Sequence, residues 1–313
     1  MTSIVSSIAF VRLSAPDLGR MEEYLTDFGM AKVHRDGRRL YMRGLGSNPY
    51  LHVTELGEPG AIGQAYHVDD VDVLKDLVKK GVADAVEDLD GPGGGKRVRL
   101  TDPDGCVVEL VAGREPAQAL PNRPTVRAPD GVSRIVGPAR VMRIAHTACQ
   151  AIDVRRTIKW YQDTLGMIPT DELYVGTEDN TLGQFNRVDR GDELVDHHII
   201  FIMRGKGRPG LHHASFEVET VDDIFFGNNH LERAQSDHVR GIGRHALGSQ
   251  IFDYWMSPFG QMHEHWSSTE KMVSNSGFNR IKIGEGMEHD TGEKPPERFT
   301  KQASPYLGWL AGA

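Results

Sequence analysis

The feature that most limits how this 313-residue chain can fold is an internal repeat. Residues 7–30, SIAFVRLSAPDLGRMEEYLTDFGM, align without gaps on 144–167, IAHTACQAIDVRRTIKWYQDTLGM. Tyr24 meets Tyr161, Phe28 meets Leu165, and Gly29-Met30 meets Gly166-Met167. Each segment reads as a strand, an aspartate (Asp17 or Asp153) suited to start a helix, and a glycine suited to end it. A second pair follows: AYHVDDVDVLKDLV (65–78) and SFEVETVDDIFF (215–226), again strand then helix. Both halves close on a turn and strand, DPDGCVVEL (102–110) and SPFGQMHEH (257–265). Fixed self-similarity of this kind dictates architecture before any single element does. The expectation is an α+β protein with two strand–helix–strands units per half. Prolines 116, 121, 124, 129 and 138 crowd between the halves and predict an extended linker.

Composition narrows the function. Lys and Arg number 36 against 44 Asp and Glu, a net charge of -8, which argues against nucleic acid or an anionic membrane as partner. No apolar run approaches the ~18 residues of a membrane span. The start has neither a basic region nor a long apolar stretch, so no signal peptide is expected. Cys106 and Cys149 are too few for a disulfide framework and fit a reducing cytoplasm. Histidine is the outlier. Of 14, only His34, His52 and His67 precede residue 145, and ten lie between His146 and His265. Imidazole is a common neutral metal ligand and the usual acid or base near neutral pH, so chemistry is expected in the second half.

The repeat resembles the vicinal oxygen chelate superfamily (the glyoxalase/bleomycin-resistance-like fold), built from paired βαβββ modules around a metal site. Two modules per half with the histidines in the second resemble the type I extradiol ring-cleaving dioxygenases, the catechol 2,3-dioxygenase family, over about residues 7–267. The resemblance implies a non-catalytic domain at 1–113, a linker at 114–140, a catalytic metal-binding domain at 141–270, and a tail at 271–313 that is a candidate lid or subunit contact. It also implies an iron(II) site, with manganese(II) the alternative, held by two histidines and a carboxylate. Such a triad leaves metal positions open for a catechol and O2. The ligands it points to are His146, on the strand opening the third module; His213, in GLHHASFEV; and Glu264, six residues after Pro258.

His212 competes with His213. Strand alternation puts His212, Ala214, Phe216 and Val218 on one face and His213, Ser215 and Glu217 on the other, which favours His213 for a polar cavity. His263 and His265 compete with Glu264. In the first half the aligned positions are Ala9, a residue near Gly63, and Glu109, so only the carboxylate remains and one metal site is expected. The family spacing further implies catalytic roles for His198 (with His197 as its rival), His245 and Tyr254. His198 would move protons, while His245 and Tyr254 would hydrogen-bond the substrate oxygen. His230 and His238 match no role and are expected to be exposed. Departures from the family pattern at Ile242, Asp253 and Ser257 border the pocket. The implied activity is extradiol cleavage to a muconic semialdehyde in aromatic catabolism, by a homo-oligomer (tetramer or dimer). The alternatives are cleavage of a hydroquinone or trihydroxyarene on the same scaffold, or a metal-free small-molecule binder.

Overall fold

A computed structural model describes residues 2–121, 126–127, 129, 133–134, 137–283 and 290–312. The first half runs β1 (Ser7–Ala15), α1 (Leu18–Asp27), β2 (Ala31–Arg35), β3 (Arg39–Arg43), β4 (His52–Leu56), then β5 (Gly60–His67), α2 (Val71–Lys79), β6 (Glu87–Asp88), β7 (Lys96–Thr101) and β8 (Val107–Ala112). These are two βαβββ modules. They share one eight-stranded sheet in the order β2-β3-β4-β1-β5-β8-β7-β6, joined where β1 lies antiparallel to β5.

The second half repeats this with β9 (Val141–Ala151), α3 (Val154–Leu165), β10 (Ile168–Tyr174), β11 (Thr181–Arg187), β12 (Ile200–Arg204), β13 (Gly210–Val218), α4 (Val221–Arg233), β14 (Asp237–Arg244), β15 (Ile251–Met256) and β16 (Met262–Ser267). The order β14-β15-β16-β13-β9-β12-β11-β10 matches that of the first half. A tail strand, β17 (Asn279–Lys282), adds to β10 in parallel, and Ser304–Pro305 pairs with β13. The tail therefore docks on its own chain. Among the described residues no helix is long and apolar enough to cross a membrane. Part of the predicted linker lies outside the described residues; within its start, the amides of Ala117 and Leu120 donate to the carbonyls of Ser47 and Leu45 of the first half.

Local signals placed the helices. Asp17 accepts from the amides of Gly19 and Arg20, and Asp153 from that of Arg156. Gly166 ends α3 at φ 72, a left-handed value that costs a residue with a Cβ. The apolar helix faces pack on the sheets, and Tyr161 and Leu165 are fully buried. The halves also grip each other: the Phe28 ring stacks on His265 at 3.9 Å, and His52 Nε2 lies 3.1 Å from His263 Nε2.

The ungapped alignment is one residue out in the opening strands. The helix-starting aspartates are 136 apart (153 − 17), whereas the closing glycines are 137 apart (166 − 29), because one more residue separates aspartate from glycine in the second half. Each opening strand has a bulge, which skips Ala9 in β1 and Ala145 in β9. The register then pairs Phe10 with Ala65 and His146 with Ser215. The structural counterpart of His146 is Phe10, not Ala9.

Candidate metal centre

Four neighbouring strands build the centre. In register across them lie Tyr254 on β15, Glu264 on β16, Ser215 on β13 and His146 on β9. Side chains on one rung share a face, and residues two apart along a strand return to it. His213 therefore points the same way as Ser215, and opposite it on β9 stands the small Ala148.

The result is a tight triangle. His146 Nε2 lies 3.2 Å from His213 Nε2, and the two lie 3.2 and 3.4 Å from Glu264 Oε2. All three residues are buried, with Glu264 fully so, and their ligand atoms lie within 4.8 Å of one another. Burial lowers the basicity of His146. Burial alone would raise the Glu264 carboxyl, but the two imidazoles beside it hold it well below the usual range.

The hydrogen bonds behind His213 tell which nitrogen is bare. His212 Nε2 is 2.8 Å from the Phe299 carbonyl oxygen, which can only accept, so the His212 proton sits on Nε2. Burial pushes His212 down to about 3, so the ring is neutral and its Nδ1 accepts from His213 Nδ1, 2.8 Å away. His213 Nε2 is then the nitrogen left facing Glu264. No hydrogen bond of good geometry reaches either Glu264 oxygen. A buried carboxylate faced by two imidazole nitrogens, with no well-formed hydrogen bond of its own, is a donor set that a divalent cation would satisfy. Donors held at about 2.1 Å and near-right angles around a divalent ion would stand about 3 Å apart, which is the spacing found. These residues fit a metal.

Strict strand alternation would have turned His212 away. A bulge makes the difference: pairing passes from Ala148–His213 to Cys149–Leu211, leaving His212 without an opposite residue. His263 and His265 sit on the far face of β16, toward Tyr24 and Phe28 of the first half.

The pocket histidines take separate places. His198, in the connection before β12, has its ring centroid 4.2 Å from that of His146. Burial, reinforced by His146, holds it well below its ordinary pKa, so it is neutral. His245 Nδ1 lies 3.0 Å from Asp290 Oδ2, and its Nε2 lies 3.0 Å from the Tyr254 hydroxyl. Burial keeps Tyr254 a protonated phenol. His230 and His238 are not exposed as expected; both are half-buried, paired with Asp27 and Asp253 respectively at 2.9 and 2.8 Å. Spacing could not reveal those long-range carboxylates.

The sequence also left four neighbours unmarked: Asp171, Arg240, Asp290 and Phe299. Arg240 is buried against Phe252 and Phe299 and pairs with Asp290 at 3.2 Å. Asp290 and Phe299 belong to the tail, outside the repeat, where no periodic signal could point to them.

Residues 143–260 match the Glyoxalase/Bleomycin resistance protein/Dioxygenase superfamily. The chain is 28% identical over 272 residues to metapyrocatechase 2 of Cupriavidus necator, covering 83% of this chain and 80% of that protein. Its fold is similar to that of homoprotocatechuate 2,3-dioxygenase from Brevibacterium fuscum, with TM-score 0.82, 18% identity and coverage of 98% and 94%. It is also similar in fold to the Mn(II)-bound glyoxalase from Novosphingobium aromaticivorans, with TM-score 0.76, 22% identity and coverage of 97% and 96%.

Proposed function

We propose that the chain is an extradiol dioxygenase of the Glyoxalase/Bleomycin resistance protein/Dioxygenase superfamily and that it opens a catechol ring at iron(II), placing both atoms of O2 in a muconic semialdehyde-type product. One observation carries this reading: two buried imidazoles and one buried carboxylate converge on a single point. Among the described residues no fourth such donor joins them. Three protein donors leave positions free on a metal for a chelating diol and a gas, whereas a site closed by more donors would not. Bound by His146, His213 and Glu264, iron(II) would couple an electron-rich ring to O2, and manganese(II) suits the same donors.

The remaining chemistry falls to side chains. Asp290 accepts from His245 Nδ1–H, so His245 Nε2 accepts the Tyr254 O–H. The Tyr254 oxygen keeps lone pairs free to accept from a substrate hydroxyl, which orients the diol. His198 is neutral and buried beside His146, placed to take up a diol proton and return it later. Trp266 packs edge-on against His146 at 5.4 Å and helps to keep the pocket dry. We place the enzyme in the cytoplasm, as a dimer or tetramer, with Cys106 and Cys149 as buried free thiols.

Anaerobic loading with iron(II), followed by catechol and air-saturated buffer, tests the reading. The expected result is a yellow ring-opened product with one O2 consumed per substrate. Metal binding without O2 uptake across mono-, bicyclic and carboxylated catechols would overturn it. O2 uptake only with hydroquinones would move the activity to that substrate class.

A further inference from the structure

His198 is backed by a hydrogen-bond chain that the reaction described above does not use. Its Nδ1 lies 3.0 Å from Nδ1 of His197. His197 Nε2 lies 2.9 Å from Asp171 Oδ2, and Asp171 Oδ1 is held by Asn279 Nδ2, also at 2.9 Å. His197, His198 and Asp171 are all buried. The two histidines lie in the irregular connection ahead of β12 rather than in a strand, so consecutive rings can meet. Phe185 packs edge-on against both, at 5.5 and 4.8 Å, and fixes their planes. The Thr170 hydroxyl donates to the His197 carbonyl at 2.7 Å and anchors the backbone.

The chain sets the protons. Burial works to raise Asp171, yet hydrogen bonds from His197 and Asn279 hold it below the usual carboxyl range, so it is an acceptor only. His197 must therefore carry a proton on Nε2. Its Nδ1 is then the atom placed to accept from His198 Nδ1–H. His198 is left with its lone pair on Nε2, the nitrogen that His197 does not engage.

We propose that Asp171, acting through His197, is a positioning residue that fixes His198 as its Nδ1–H tautomer and so keeps Nε2 ready to receive a proton from the bound diol. The source of that proton rests on the ring-cleaving function proposed above; the tautomer does not.

Asp171→Asn gives a sharp test. Asn279 Nδ2 still needs an acceptor and takes the new carbonyl oxygen, which turns the new amide NH2 toward His197 Nε2. That nitrogen must become bare, His197 then donates from Nδ1, and His198 is forced to carry its proton on Nε2. Ring nitrogen-15 shifts of His198 in the metal-free protein read this directly. The expected result is a protonated Nδ1 in wild type and a protonated Nε2 in D171N. In the iron-loaded enzyme kcat falls on the order of 10–100-fold with KM for catechol little changed.

The double variant D171N/N279D reverses the polarity. The carboxylate introduced on β17 accepts from the amide NH2 introduced on β10, the oxygen of that amide again faces His197, and both tautomer and kcat recover. N279A keeps the original carboxylate and leaves the tautomer as in wild type. An unchanged His198 tautomer in D171N, a reversed one in N279A, or no recovery in the double variant would each overturn the proposal. A tautomer switch in a protein that never opens catechols would leave the positioning role standing and sink the reaction instead.

Discussion

Glu264→Gln tests the metal centre without relying on turnover. In the metal-free protein, a fully buried carboxylate oxygen faces two imidazole nitrogens at 3.2 and 3.4 Å, and it accepts no well-formed hydrogen bond. The glutamine amide keeps the shape and removes the charge, so the variant loses the anionic donor alone. The two proteins should part when metal is added. At one hundred times Kd, wild type gains about 2.7 kcal/mol, or roughly 5–11 °C, while the variant lacks the anionic ligand and gains little. Calorimetry of chelator-stripped protein, with and without manganese(II) or anaerobic iron(II), reads both steps. Equal gains with metal would refute the assignment of Glu264 as the metal's anionic ligand.

Other expectations follow from the same geometry. His198→Phe should bind iron as wild type does, by metal analysis, but lose on the order of 10²–10⁴ in kcat, and an unchanged kcat would end its assigned role. Arg12→Met should destabilise the first half by about 2–4 kcal/mol in urea, since Glu109 is buried and only Arg97, at 3.2 Å, still meets it. The double variant R12M/E109L should recover most of that loss; no recovery would show that the charge is not the cause. Burial raises Asp102 to about 7 although backbone amides of Cys106 and Asp104 donate to it. Its unfolded value is about 3.9, so its contribution is fully present below that and is lost as pH rises through about 7. Asp102→Asn should flatten the stability profile across that window, and urea midpoints from pH 4 to 8 would expose a wild type no steeper than the variant.

The duplicated modules were legible because repetition survives in short patterns: a strand, an acidic helix cap, a closing glycine. His146, His213 and Glu264 were legible because each sits at a fixed place in a module, and strand periodicity brings those places to adjacent rungs. Bulges were not legible. The ones at Ala9 and Ala145 shift the register by a residue, and the one at His212 turns two consecutive rings toward each other. Each depends on how two strands pair, which one strand's alternation does not encode. The hydrogen-bond partners from the tail were also hidden. Asn279, Asp290 and Phe299 each end a hydrogen-bond chain that reaches a pocket histidine, at His197, His245 and His212. Those contacts span many tens of residues and carry no period.

The two halves answer one electrostatic problem in opposite ways. The fold buries a carboxylate at the same rung in each, Glu109 beside Ala65 and Glu264 beside Ser215. A buried carboxylate needs a cation. In the first half Arg12 supplies it, with Nε 2.8 Å from Glu109 Oε1, and the residue opposite Arg12 is Gly63. A Cβ on Gly63 would come within 1.8 Å of the Val107 oxygen, so no imidazole can stand there. In the second half the same rung holds Ala148 opposite His213. The bulky group stands on the other strand, and in place of a guanidinium two imidazoles face the carboxylate. A guanidinium satisfies its carboxylate and leaves no open position, whereas a metal held by three donors keeps some. The half without the arginine is therefore the one whose carboxylate stays available to a metal.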